Sequence, residues 1–135
     1  MAVTNIRTLS YQSIGWGVVL VEYKFDFADD LVEVNYYNYD ETLHTHREDT
    51  FSPEQQKKLR LACAFSLMPV WKWSYHNPAV SDGDQWEVMI TYNDGKEKRT
   101  YGSNAYPLLY PLAHDTITSF SDTLRQTEIE QDAIP

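Results

Sequence analysis

The sequence is short of cysteine, of positive charge and of long apolar runs. One cysteine, Cys63, rules out an internal disulfide. Eleven lysines and arginines stand against twenty acids, a net charge of −9. Phosphate contacts need basic side chains, so the balance argues against direct binding of DNA or RNA. No stretch approaches the ~20 apolar residues of a membrane-spanning helix. Residues 1–15 lack the basic start and apolar core of a signal peptide. These absences predict a cytoplasmic protein with no membrane contact. Catalytic signatures are missing too: there is no G-x-S-x-G, P-loop, H-E-x-x-H or paired C-x-x-C. The reading is of a protein that is more a binder than an enzyme, with no cofactor and no metal.

What is present fits one globular domain over residues 1–135, with 126–135 as a frayed tail. Aromatics are abundant, with ten tyrosines and four tryptophans. Gly17–Phe27 alternates at period two, with Val19, Val21, Tyr23, Phe25 and Phe27 on one face. Ala28, Asp29 and Asp30 supply a turn, and Leu31–Tyr39 a second strand. Ile6–Gln12 and Thr42–Glu48 read as further strands, and the glycines beside Trp16 as a bulge or bend. Phe51–Met68 changes period. Ser52 caps, Pro53 starts and Pro69 ends a helix whose second half is apolar over a wide arc, which predicts a central place in the core.

Val70–Asp84 reads as an aromatic loop. Gln85–Asn93 alternates cleanly, Asp94–Gly95 marks a hairpin, and Lys96–Gly102 returns as a polar strand suited to a sheet edge. A final helix runs from about Pro107 to Leu124. The expected fold is α+β: an antiparallel sheet of four to six strands with two helices on one face.

Residues 71–120 resemble a group of small bacterial proteins. The pattern comprises Trp71 or Trp73 with Tyr75, Asn77 and Pro78; Asp82, Gly83 and Trp86; Tyr92, Asp94, Gly95 and Lys96; and Tyr101 to Pro107. The resemblance implies a compact α+β fold and no particular chemistry. Pro111 and the tail depart from the pattern.

Within it, Gly102, Ser103, Asn104, Tyr106 and Pro107 form a strand-to-helix joint. Each residue suits a connector: Gly102 to leave the strand at an unusual angle, Ser103 and Asn104 to hold a turn, Tyr106 extended before proline, Pro107 to begin the helix. The other reading is an anion loop at a helix N-terminus, though it carries no basic residue. His44, His46 and Glu48 share a strand face, which is a weak metal signal; an exposed polar strand is the favoured account of them. Cys63, between two alanines, reads as a buried small hydrophobe.

The charge is uneven. From Glu22 to Asp49 nine acids face two bases, a net of −7, which leaves −2 for all other residues. Asp29, Asp30, Glu33, Tyr36, Tyr37, Tyr39, Asp40 and Glu41 lie in this segment and are the candidate partner-binding residues. Tyrosine among carboxylates suits a protein interface, and a basic partner such as a nuclease-type toxin is the expectation, with this chain as its immunity protein or inhibitor. The same pattern also fits the solvated face of a sheet. A different class, a small-molecule binder or enzyme, would use the aromatic loop 71–76, the joint before the last helix, and His76 or His114.

Overall fold

The structure is a computed structural model and describes residues 3–79 and 83–120. The tail, Leu124 and Asp82 lie outside the described residues. Seven strands form one sheet: β1 (Ile6–Gly15), β2 (Val18–Asp26), β3 (Leu31–Tyr37), β4 (Leu43–Thr50), β5 (Ser74–His76), β6 (Gln85–Tyr92) and β7 (Glu97–Ser103), in the spatial order β4-β3-β2-β1-β6-β7-β5. The fold is α+β, but the sheet is larger than four to six strands and is mixed. The reason is β5, three residues of the expected aromatic loop, which pair parallel to β7. The polar strand β7 is therefore internal, between β6 and β5. Its charges do not mark an edge, because Lys98 reaches inward to donate to the Trp71 carbonyl oxygen at 2.6 Å.

Two helices contribute to one core against the same sheet face: α1 (Pro53–Phe65) and α2, helical over residues 110–120. Period-two alternation sends Leu9, Tyr11, Tyr23, Phe25, Val32, Val34, Trp86, Val88, Ile90 and Tyr92 to that face, where they are buried with Leu59 and Cys63 of α1 and Ala113, Ile117 and Phe120 of α2. The α1 start follows its sequence signals. Ser52 Oγ accepts from the Gln55 N–H at 3.2 Å and Gln55 Oε1 accepts from the Ser52 N–H at 2.8 Å, a capping box with Pro53 at the first helical position. The α1 end differs from expectation. The helix stops at Phe65, Leu67 takes a left-handed φ of 60°, and Pro69 sits within a short 3-10 turn, Met68–Val70. Leu61 and Phe65 are exposed, so only the Leu59–Cys63 stripe is core. The wide apolar arc is not central after all, because the sheet can cover only one side of the helix.

Helix α2 begins at Tyr110 rather than Pro107. Pro107 and Leu109 instead supply turn acceptors, to the Tyr110 N–H at 3.1 Å and the Leu112 N–H at 3.2 Å. Pro111 then falls in the first turn, where its missing N–H has no helical partner to lose.

Candidate functional site

Register arranges the chain into two ends. β1 pairs antiparallel with β2 and β6, β2 with β3, β3 with β4, and β6 with β7. The β1–β2 hairpin tip, the β3–β4 turn, the start of β6 and the end of β7 consequently lie at one end of the sheet. The β2–β3 turn, the start of α1 and the β6–β7 hairpin lie at the other.

Large side chains stand exposed at the first end. Trp16 is 79% exposed at the β1–β2 tip, Tyr39 63% exposed in the β3–β4 turn, and Leu43 stands exposed beside it. Trp16 and Gly17 both have positive φ, 55° and 75°. Positive φ at consecutive turn residues matches the right-handed twist of a hairpin, but tryptophan adopts it reluctantly. The tip thus holds a large aromatic outward at some backbone cost. Asp40 and Glu41 flank Tyr39 and are exposed. Hydrogen bonds from the Thr42 hydroxyl and N–H hold the Asp40 carboxyl below the usual range, so it stays ionised. A groove of about 240 Å³ lies between the two turns, lined by Gln12, Val18, Val19, Glu22, Tyr37 and Glu41.

The open sheet face next to this end is polar and tied together. Glu22, whose side chain is 12% exposed, accepts from Gln12 Nε2 at 2.7 Å and from Asn35 Nδ2 and the Tyr37 hydroxyl at 3.4 Å, with Lys24 Nζ at 3.7 Å. Donors on three strands thus stabilise a nearly buried charge. Burial and the Glu22 charge raise the Tyr37 pKa, so its phenol stays protonated. Asn35 Oδ1 in turn accepts from His46 Nδ1 at 2.6 Å, and His46 Nε2 lies 3.5 Å from Glu48. The polar strand face accounts for His46 and Glu48; among the described residues no group of three His, Cys, Asp or Glu could hold a metal ion.

The candidate partner-binding residues divide. Tyr37, Tyr39, Asp40 and Glu41 come together at the first end, and Glu33 lies half-buried on the open face, beside a groove of about 370 Å³. Tyr36 alternates to the covered face and packs on the core. Asp29 and Asp30 lie at the opposite end, about 20 Å away along a seven-residue strand. They serve the fold there. Asp30 Oδ1 accepts from Gln56 Nε2 at 2.6 Å and its carbonyl oxygen from the Phe51 N–H at 2.8 Å, and the Asp29 N–H donates to Asp26 at 2.9 Å. In the sequence Trp16 reads as a turn residue and Leu43 as a strand residue. Hairpin register puts them at the same sheet end as Tyr39, and a tryptophan between two glycines is the one available signal.

The joint before α2 wraps Trp86. Gly102 sits inside β7, and a Cβ there would overlap the Trp86 indole. The glycine is needed for close approach, not for an unusual backbone angle. The Ala105 carbonyl oxygen accepts from Trp86 Nε1 at 3.1 Å, and the Tyr106 ring stacks on the indole at 9° and 6.1 Å. Asn104, at φ 55°, exchanges two bonds with the Asp84 backbone: its N–H donates at 2.8 Å and its Oδ1 accepts at 2.9 Å. Ser103 and Pro107 are buried. These contacts tie the joint to Trp86 and Asp84, and Tyr106 adds an exposed ring whose hydroxyl donates to Asp84. Cys63 is fully buried and its thiol is pushed up to about 12 by burial, which leaves it unreactive at neutral pH. In the aromatic loop Trp71 is core, while Trp73 is exposed. No helix among the described residues is long and apolar enough to cross a membrane. No protein-family model and no curated protein matches this chain.

Proposed function

We propose that the protein is a non-catalytic acidic binding protein that docks on a basic protein partner and occludes its working surface. The partner chemistry that fits is a nuclease-type toxin, for which this chain would be the immunity protein or inhibitor. A nuclease presents positive charge to its substrate, and an acidic surface of matching shape competes for it. One observation carries the reading: Trp16, Tyr39 and Leu43 stand out of the sheet end that also holds Asp40 and Glu41. Exposed aromatics anchor interfaces, and fixed carboxylates steer association. The Glu22 network supports the same reading by holding Tyr37 in place behind the turn. The two turns are separated by two strand spacings, roughly 10 Å. That span suits the centre of an ordinary interface of about 800 Å² per partner.

Photocrosslinking in the native host tests this. A benzophenone amino acid at position 16 or 39 should capture one discrete basic protein, and the same probe at position 29 should not. Equal capture from all three positions, or capture of acidic proteins only, would remove the reading.

A further inference from the structure

The start of β6 and the start of α2 border a third open groove, of about 480 Å³, lined by Asp84, Tyr106, Pro107, Leu108, Tyr110, Pro111 and His114. We propose that this groove binds a guanidinium or amidinium cation carried on a flat or apolar body. The proposal stands independently of the docking reading.

Three features converge on that chemistry. The first is a carboxylate: among the described residues neither lysine nor arginine lines the groove around Asp84. Asp84 is exposed and fixed by its double exchange with Asn104. The second is a wall of electron-rich rings. Trp86 packs against one face of Tyr106, and the Tyr106 side chain stays 41% exposed. Donation of the Tyr106 hydroxyl to Asp84 pushes electron density toward the ring, which strengthens attraction of a cation to its face. Tyr110 lies 4.8 Å from Tyr106, and the His114 ring stacks on Tyr110 at 5.2 Å. The Tyr110 hydroxyl is occupied by Tyr11 at 2.7 Å, so it contributes its ring rather than a donor. The third is an apolar border of Leu108 and Pro111, both exposed. A planar cation could meet Asp84 with two N–H groups while its body lies on proline, leucine and tyrosine. Ammonium is a poorer match, since it lacks the planar fork.

The cation can arrive free or as an arginine side chain. Titrations of the full chain would use benzamidine, its neutral counterpart benzamide, the capped peptide Gly-Ser-Arg-Ser-Gly and its citrulline analogue. The readouts are the Trp86 indole N–H and the His114 imidazole resonances. Saturable shifts are expected with both cations and none with the neutral pair. Tighter binding of benzamidine would assign a free molecule, and tighter binding of the peptide a protein side chain. Asp84→Asn keeps the backbone exchange with Asn104 and should weaken the cations about tenfold. Tyr106→Phe keeps the ring and should weaken them less. Neutral ligands that bind as well as cations, an Asp84→Asn variant that folds and binds unchanged, or no saturable shift with either cation would overturn the proposal.

Discussion

The two ends of the sheet use the same residue types for opposite purposes. At the Phe51 end the aromatics close on one another. Phe51 meets Phe25, Phe27 and Phe120 at 5.5, 5.0 and 5.9 Å, and Arg60 lies 4.0 Å over the Phe27 ring. The acids there, Asp26 and Asp30, accept hydrogen bonds that hold turns. At the Trp16 end the large side chains Trp16, Tyr39 and Leu43 face outward, and Glu41 makes its turn contact through its backbone N–H, to the Asn38 carbonyl oxygen at 2.9 Å. Local acid content does not separate the two ends. The outward-facing Trp16, Tyr39 and Leu43 on the two turns do, against the closed Phe51 cluster, and they mark those turns as surface and the Phe51 end as scaffold.

Substitutions can break that comparison. Phe51→Ala opens a cavity in a fully buried cluster and should cost about 3–5 kcal/mol in urea unfolding, whereas Trp16→Ala and Tyr39→Ala should stay within ~0.5 kcal/mol. A stability loss at Trp16 as large as at Phe51 would erase the distinction. Gly102→Ala should cost roughly 1–3 kcal/mol and disturb the near-ultraviolet dichroism of Trp86, because the indole must move. Ser52→Ala removes the capping box and should cost about 1 kcal/mol, which a urea midpoint can resolve. The last effect is alkaline and is silent at neutral pH. Burial raises Cys63 from 9.0 to about 12 and, with a smaller opposing contribution from its bond to Tyr110, Tyr11 from 10.0 to about 12. Both favour the fold in neutral form, so their contribution is complete below pH 9 and is lost as pH rises toward 12. Cys63→Ala should move the onset of that loss upward, toward the tyrosine range, in a pH series of melting temperatures.

Local chemistry made much of the scaffold legible. The alternation of Gln85–Tyr92 is the observed strand, with Trp86, Val88, Ile90 and Tyr92 buried. Ser52 and Pro53 start α1, and Gly95, at φ 86°, turns the hairpin after β6. Long-range pairing was not legible. Three residues of the aromatic loop could not be seen to dock on β7, since nothing in Ser74–His76 specifies a parallel neighbour. The apolar arc of α1 could not show which side would be covered. The acidic segment was visible as composition, but it is folded back twice, so Asp29 and Asp40 separate while Trp16 and Tyr39 converge. Which acids share a surface is a property of register, and composition does not carry it.

Association kinetics with the crosslinked partner, measured across ionic strength, test the central claim most directly. Asp40→Asn with Glu41→Gln should slow the association rate about tenfold at low salt and flatten its salt dependence, while Asp29→Asn should leave both unchanged. Equal slowing from the two ends would show that overall charge, and not the Trp16 end, guides the encounter.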